Sequence, residues 1–484
     1  MTGPIPWETG RLYSAGSPVC TACLHWQKRF HCGMNDFYTE WNTRRTHESY
    51  EGFCRYVGPA ARHAEKIKTL TAGQRRCYQP KSAFGRGRLA NGQYRGGVPM
   101  SASLLTLGGL RARFGREPEC LLDVADDIAA RFATSGDACV RAPLEEAARD
   151  LLARCPEPSD LPLWGVPYVV GANVDVVGLP TSMGVPALDF QPDCDAVVVE
   201  RLRAAGALLV GKVPVDPVGP EASAGAAASV AAGLAAFGIA NDRGTASAAA
   251  RFGVAAIEPT RGLVSTEGLF AIAPELDGIA IFAADVTGGT IVRCFIEKAS
   301  GIDERLIPPA RLGLFGDSAS LPARDVANRL GLSTVTADDA PFAEFAALMD
   351  DDVWLAPRLD DIAVIFAELP ELFPPHLRGR LARAFGGSVS AQMRAQRRLS
   401  NLCRRIEAAF AGFDLLFMPP EANLDGFVNA CGLAAVILPD GGALVGRGGD
   451  DGRLAALAPA FAAPNHPTST RPIDIPAPSP LAHR

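Results

Sequence analysis

The chain has 484 residues, enough for one large core or two modest ones, and 48% hydrophobic with 21% charged residues is the composition of a soluble globular protein. A net charge of −6 argues against nucleic acid as a partner of the whole molecule. The longest apolar stretches, such as 225–239, are too Ala/Gly-rich to span a bilayer, and Met1 is not followed by a basic segment and an apolar signal core, so we expect a cytoplasmic protein with no membrane partner.

Residues 1–99 differ in composition from the rest of the chain. They hold Tyr13, Tyr38, Tyr50, Tyr56, Tyr78 and Tyr94, against Tyr168 alone afterwards, and four of the lysines, against only Lys212 and Lys298 later. The boundary falls at Pro99 and Met100. It divides the chain into an atypical N-terminal extension (1–99), a main domain (100–465) and a Pro-rich tail (466–484). Two readings of 1–99 stand: an appended small module, or upstream sequence translated from a mis-assigned start with Met100 as the ancestral one. Ala83 to Gly97 lacks hydrophobic periodicity, which favours disorder there.

Twelve cysteines are scattered along the chain without a secretory context, and we expect free thiols. Cys20 and Cys23 have the two-residue spacing of a zinc-gripping pair, with His31 and Cys32 as candidates to close the tetrahedron. The loop between the pairs is short, and neighbours such as His31 and Cys32 point in different directions, so unligated side chains are the preferred reading and no metal or other cofactor is expected. The Arg/Gly run from Phe84 to Gly97 reads as a solvated linker rather than an RNA contact.

After Met100 the run from Ser103 reads as a helical lead-in. Leu163 to Val170 is a turn feeding a buried apolar strand, Asp195 to Gly206 an Asp-capped helix closed by glycine, and Leu208 to Gly211 a returning strand. Strand, helix and strand in that order make a crossover in an α/β sheet, with Ala-rich helices over both faces. His376, His466 and His483 are lone histidines in Pro-rich or terminal settings and build no triad. Gly442 to Gly452 lacks the lysine and helix context of a phosphate loop and reads as a turn between late sheet elements.

The runs Pro162–Pro167, Asn173–Thr181, Asp195–Ala207, Gly211-Lys212 and Pro259–Gly268 together resemble the amidase-signature family, over about Ser103 to Pro459. Leu276-Asp277, Ile281-Phe282 and Trp354–Arg358 fit its allophanate hydrolase branch, and Phe413 to Gly446 fits the family's usual close. The resemblance implies a mixed, twisted sheet covered by helices on both faces. It also implies a Ser-Ser-Lys machinery, in which a neutral lysine takes the nucleophile's proton through a bridging serine.

At those positions the chain departs from the pattern. The family lysine aligns with Gly171, and the bridging serine with Ala222. The nucleophile aligns with Ala246 counting forward from Gly233, or with Gly244 counting back from Pro259. Lys212 matches a different family position and reads as a surface residue or a support behind the site rather than a replacement base. Ser223 and Ser247, or Thr245, are the candidates for a shifted hydroxyl. The loop after Lys212 is shorter than the family needs. Of a tyrosine and arginine understood to hold a substrate carboxylate, Arg358 remains and Asp350 replaces the tyrosine, with an Arg358–Asp pair among Asp350 to Asp352 and Asp360 as the preferred reading. We therefore expect an inactive amidase-like protein kept as a binding or partner subunit, for a protein partner or a small carboxylated ligand, with a homodimer as one candidate assembly. The alternatives are a low-activity hydrolase of small carboxylated amides such as allophanate, and a decaying gene product.

Overall fold

The computed structural model describes residues 105–462, except 134–138, 183–188, 216–222, 243, 271–276, 298–308, 316–320, 350–351, 353–362, 364–365, 374 and 421–425. The extension, the tail and the zinc candidates Cys20, Cys23, His31 and Cys32 lie outside the described residues.

Helix α1 (Leu107–Phe114) is capped by Thr106, whose Oγ1 accepts the Gly109 amide at 3.0 Å. In α2 (Cys120–Phe132), Leu121, Val124, Ala125, Ile128 and Phe132 recur at helical spacing and are buried. Strand β1 (Val140–Arg141) and α3 (Leu144–Arg154) follow. Then come β2 (Pro167–Gly171), α4 (Val197–Ala204) and β3 (Leu208–Val213), with β2 and β3 parallel, which is the expected crossover. One detail is corrected. Asp195 does not cap α4: Ala196 holds the cap position, and the Asp195 carboxylate is drawn to the Val177 amide (2.7 Å) and to Arg203 (3.1 Å). Gly206 closes the helix at φ +90°, where a β-carbon would stand 2.9 Å from Leu161.

The chain continues through α5 (Ala224–Ala231), β4 (Phe237–Asn241), α6 (Thr245–Phe252), β5 (Ala255–Glu258), β6 (Ile279–Ala283) and α7 (Val286–Ile296). Beyond them lie β7 (Arg311–Leu314), α8 (Leu321–Arg329), β8 (Ser333–Thr336), α9 (Ala340–Met349), α10 (Pro375–Gly386) and α11 (Val389–Ala409). The close is β9 (Leu415–Met418), α12 (Phe427–Ala430), β10 (Ala434–Ile437), β11 (Ala443–Gly446) and α13 (Asp451–Phe461). The expectation of a bare turn in 442–452 is corrected here. Ala443 to Gly446 are all buried and pair with both β10 and β9, while the turn itself is at Gly441, φ +92°.

The described strands form one mixed sheet in the order β1-β3-β2-β4-β6-β5-β10-β11-β9-β7-β8. Its central strands are buried along their whole length, which is why β2 and β4 read as continuous apolar runs rather than alternating ones. Helices cover both faces. A β-carbon on Gly238 would meet Ala226 of α5 and Val169 of β2, whereas Gly289 of α7 packs on Ile257 and Ala283. Ile257 lies level with Ile281 and Ile239 across the ladder, and Ile239, one residue on from Gly238, faces the other way, so α5 and α7 occupy opposite faces.

Candidate functional site

Three segments converge at the ends of β2 and β4: the end of β2 itself, the start of α5, and the turn from β4 into α6. Helix α5 packs on β2 and β4, and α6 packs on α5. This is the neighbourhood to which the sequence assigns Gly171, Ser223 and Ala246; Ala222 lies outside the described residues.

Gly171 is the last residue of β2. A β-carbon there would stand 2.8 Å from Asn173 Oδ1, 3.0 Å from Val215 Cγ1 and 3.8 Å from the Ala240 Cα. Asn173 is held in place from both ends, since its Nδ2 donates to the Phe270 carbonyl (3.1 Å) and its own carbonyl accepts the Phe270 amide (2.8 Å). The space a side chain at 171 would enter is therefore taken by fixed atoms.

The β4–α6 turn is pinned at Asp242. Its amide donates to the Gly278 carbonyl (3.1 Å), its Oδ1 accepts the Gly278 amide (2.8 Å), and its carbonyl accepts Thr245 Oγ1 (2.7 Å). Gly244 takes the left-handed conformation at φ 68° and begins α6, whose ladder opens with the Ala248 amide on the Gly244 carbonyl (2.9 Å). Ala246 sits in that first turn, 8% exposed, at the positive end of the helix. Its side chain is a methyl, and Gly244, the other residue that the sequence offers for this position, has no side chain. Ser247, one residue on and rotated by a quarter-turn or more, is exposed. Ser223 precedes α5 without capping it and is 1% exposed.

Lys212 is where the structure departs most from the sequence reading. It is no surface residue but is fully buried, at 0% exposure, one of the largest buried side chains of the core. Its Nζ donates to the Pro180 carbonyl (2.7 Å) and to Thr181 Oγ1 (3.1 Å), and Thr181 Oγ1 donates to Asp175 Oδ1 (2.7 Å). Burial pulls its pKa down from 10.5 to about 8, against the opposing charges of Asp175 and Asp189. In the β2–β3 ladder Lys212 is level with Val170 while Gly171 is level with Val213. Alternation then sends Lys212 from the sheet face opposite to the one a side chain at 171 would use, so it is not placed as a substitute base. A lysine interrupting the buried run from Leu208 to Val213 was the sequence signal for a buried cation, though not for its partners.

Arg358 lies outside the described residues, as do Asp350, Asp351 and Asp360. Asp352, the one candidate carboxylate that is described, accepts Arg380 Nε at 2.7 Å and Arg383 Nε and Nη2 at 3.0 and 2.8 Å. Among the described residues no group of three or more His, Cys, Asp or Glu is arranged to hold a metal ion, and no helix is long and apolar enough to cross a membrane.

Residues 128–220 match the Amidase family model. The chain is 25% identical over 352 residues to urea amidolyase of Saccharomyces cerevisiae, covering 58% of this chain and 19% of that protein. It is 38% identical over 170 residues to a glutamyl-tRNA(Gln) amidotransferase chain of Methanosarcina barkeri, covering 30% of this chain and 35% of the relative. The chain thus spans well under half the length of these relatives. An allophanate hydrolase structure from Kluyveromyces lactis superposes with a TM-score of 0.62 at 20% identity, covering 74% of this chain and 72% of that one.

Proposed function

We propose that this chain, which has the amidase-signature fold and resembles allophanate hydrolases in sequence, is a catalytically inactive protein of that lineage kept as a binding or partner subunit. The observation that carries the reading is the closed space at Gly171, where a β-carbon would meet Asn173 and Val215. Gly171 aligns with the family's base and Ala246, in the first turn of α6, with its nucleophile, so on this reading both groups are missing. Removing a nucleophile or its base alone costs about 10^6-fold in well-studied serine hydrolases, so the loss of both leaves only binding and polarisation by the helix end. A binding role fits the α6 N-terminus at the site, and the sequence adds Arg358 as a candidate anion clamp. The natural occupants are a small carboxylated ligand or a protein partner, a second copy of the chain included, in the cytoplasm.

The second reading is a low-activity amide hydrolase working through Ser247 or Ser223. Survival of hydroxyls within one residue of the aligned positions favours it. The exposure of Ser247 and the burial of Ser223 oppose it, because a serine attacks an amide only with a base beside it and the aligned base position is Gly171.

Ammonia release from allophanate, malonamate and simple aliphatic amides by the full chain, after circular dichroism has confirmed folding, decides between them. The expected result is release no faster than buffer. Turnover that disappears in Ser247→Ala or Ser223→Ala would overturn the inactive reading.

A further inference from the structure

Helices α11 and α12 meet at two cysteines that the candidate site does not use. Cys403, on α11, donates its thiol to the Ala430 carbonyl (3.5 Å), which sets its Sγ beside Cys431, the next residue and the one that ends α12. Both are reduced, and both are partly open to solvent. They are far apart in sequence, on different helices, so their meeting is a product of the fold.

The two thiols are unequal. The hydrogen bond from Cys431 lowers the Cys403 pKa, with Arg261 helping and burial opposing, while the same contact and burial push Cys431 well up. A dithiol closes when one sulfur attacks and the other resolves, and the less buried environment of Cys403 beside Arg261 suits it to the first step. Two residues before Cys431, Asn429 packs so closely on Gly278 that a β-carbon there would collide with its amide group. Gly278 in turn exchanges hydrogen bonds with Asp242 at the turn that opens α6. The cysteine pair is joined by packed atoms to the wall of the candidate site.

We propose that Cys403 and Cys431 are a redox-modification site, closing to a reversible disulfide on reaction with a small-molecule disulfide. The Cys403 thiolate attacks one sulfur of the reagent, forming a mixed disulfide and expelling a thiolate that takes a proton from solvent. Cys431, giving its proton to water, then attacks the Cys403 sulfur and expels the second thiolate. Two protein thiols lose two electrons and one reagent disulfide becomes two thiols.

The full chain is incubated with oxidised glutathione, its remaining thiols are alkylated, and the intact mass and a non-reducing peptide map are recorded. The expected result is loss of two hydrogens with no glutathione retained at this pair, a cross-linked peptide joining 403 to 431, and recovery of both thiols on reduction with dithiothreitol. Cys431→Ser is expected to stop at one glutathione held on Cys403, and Cys403→Ser to leave Cys431 alkylatable. A wild-type map in which Cys403 and Cys431 are both alkylated while exposed Cys194 or Cys294 carries glutathione would overturn the proposal, as would glutathione persisting on wild-type Cys403; neither result depends on a variant folding.

Discussion

Gly171 and Val215 are in contact distance of one another across the end of the sheet, so closely that a β-carbon at 171 would stand 3.0 Å from Val215 Cγ1. The space that a side chain at 171 would enter is occupied by Val215 and Asn173. Gly171→Lys is therefore expected to destabilise the protein by about 1–3 kcal/mol through overpacking against Val215 and Asn173, without producing ammonia release. Urea unfolding of the variant beside the parent gives the first quantity. A Gly171→Lys protein as stable as the parent would mean that the space is open after all.

The central fold was legible because its signals are local and strong. Buried runs such as Pro167–Gly171, the glycine at 206 and the strand–helix–strand order specify a parallel crossover whatever lies around them. Gly171 was placed at the end of a strand by the apolar run before it, and Ala246 and Gly244 both fall where β4 turns into α6. What was not legible depended on contacts distant in sequence. Asp195 leaves the cap of α4 for an amide 18 residues away, Asp352 meets Arg380 and Arg383 on α10, and Ala443 to Gly446 become a strand because β9 and β10 flank them. Lys212 shows the same limit most sharply, since the spacing of one lysine carries no information about the carbonyl and hydroxyl that the loop at Pro180 and Thr181 brings to it.

The Lys212 site makes stability depend on pH. Its folded pKa of about 8 lies below its unfolded value of 10.5, so between those limits the unfolded chain binds more protons. Stability therefore rises with pH across that window, and the contribution is lost as pH falls through 8. The difference in unfolding free energy between the parent and Lys212→Met is expected to shift by about 2 kcal/mol in the parent's favour from pH 7.5 to pH 10. A pH-independent difference, from denaturant unfolding of both proteins across that range, would show that the lysine titrates normally.

On the proposed reading, a hydroxyl placed at 246 without a base should not produce chemistry. Ala246 lies in the first turn of α6, where serine costs a fraction of a kcal/mol in helix propensity, so Ala246→Ser is expected to stay within about 1 kcal/mol of the parent in stability. Its hydroxyl would have no lysine behind it at 171. Neither ammonia release nor a mass gain on incubation with a fluorophosphonate is expected, and covalent labelling that accompanies the substitution would reveal a base supplied from another part of the site.

Asp451 is expected to be among the costliest single residues to lose. Its Oδ1 accepts the Thr260 amide at 2.9 Å, its Oδ2 accepts the Thr260 hydroxyl, and Arg293 Nη1 stands 3.9 Å from it, all in the buried interior. These contacts hold the first turn of α13 against the chain leaving β5, which is hydrogen-bonded in register to β6 and through it to β4. Asp451→Ala would leave the buried Thr260 amide unmet and Arg293 with only Glu297 of these two carboxylates as a partner. A loss of about 3 kcal/mol is expected from one unsatisfied amide plus one weakened buried charge. Asp451→Asn, which keeps an acceptor for the Thr260 amide, should recover part of it. Equal denaturation midpoints for the parent and both variants would mean that the α13 contact is carried by packing alone.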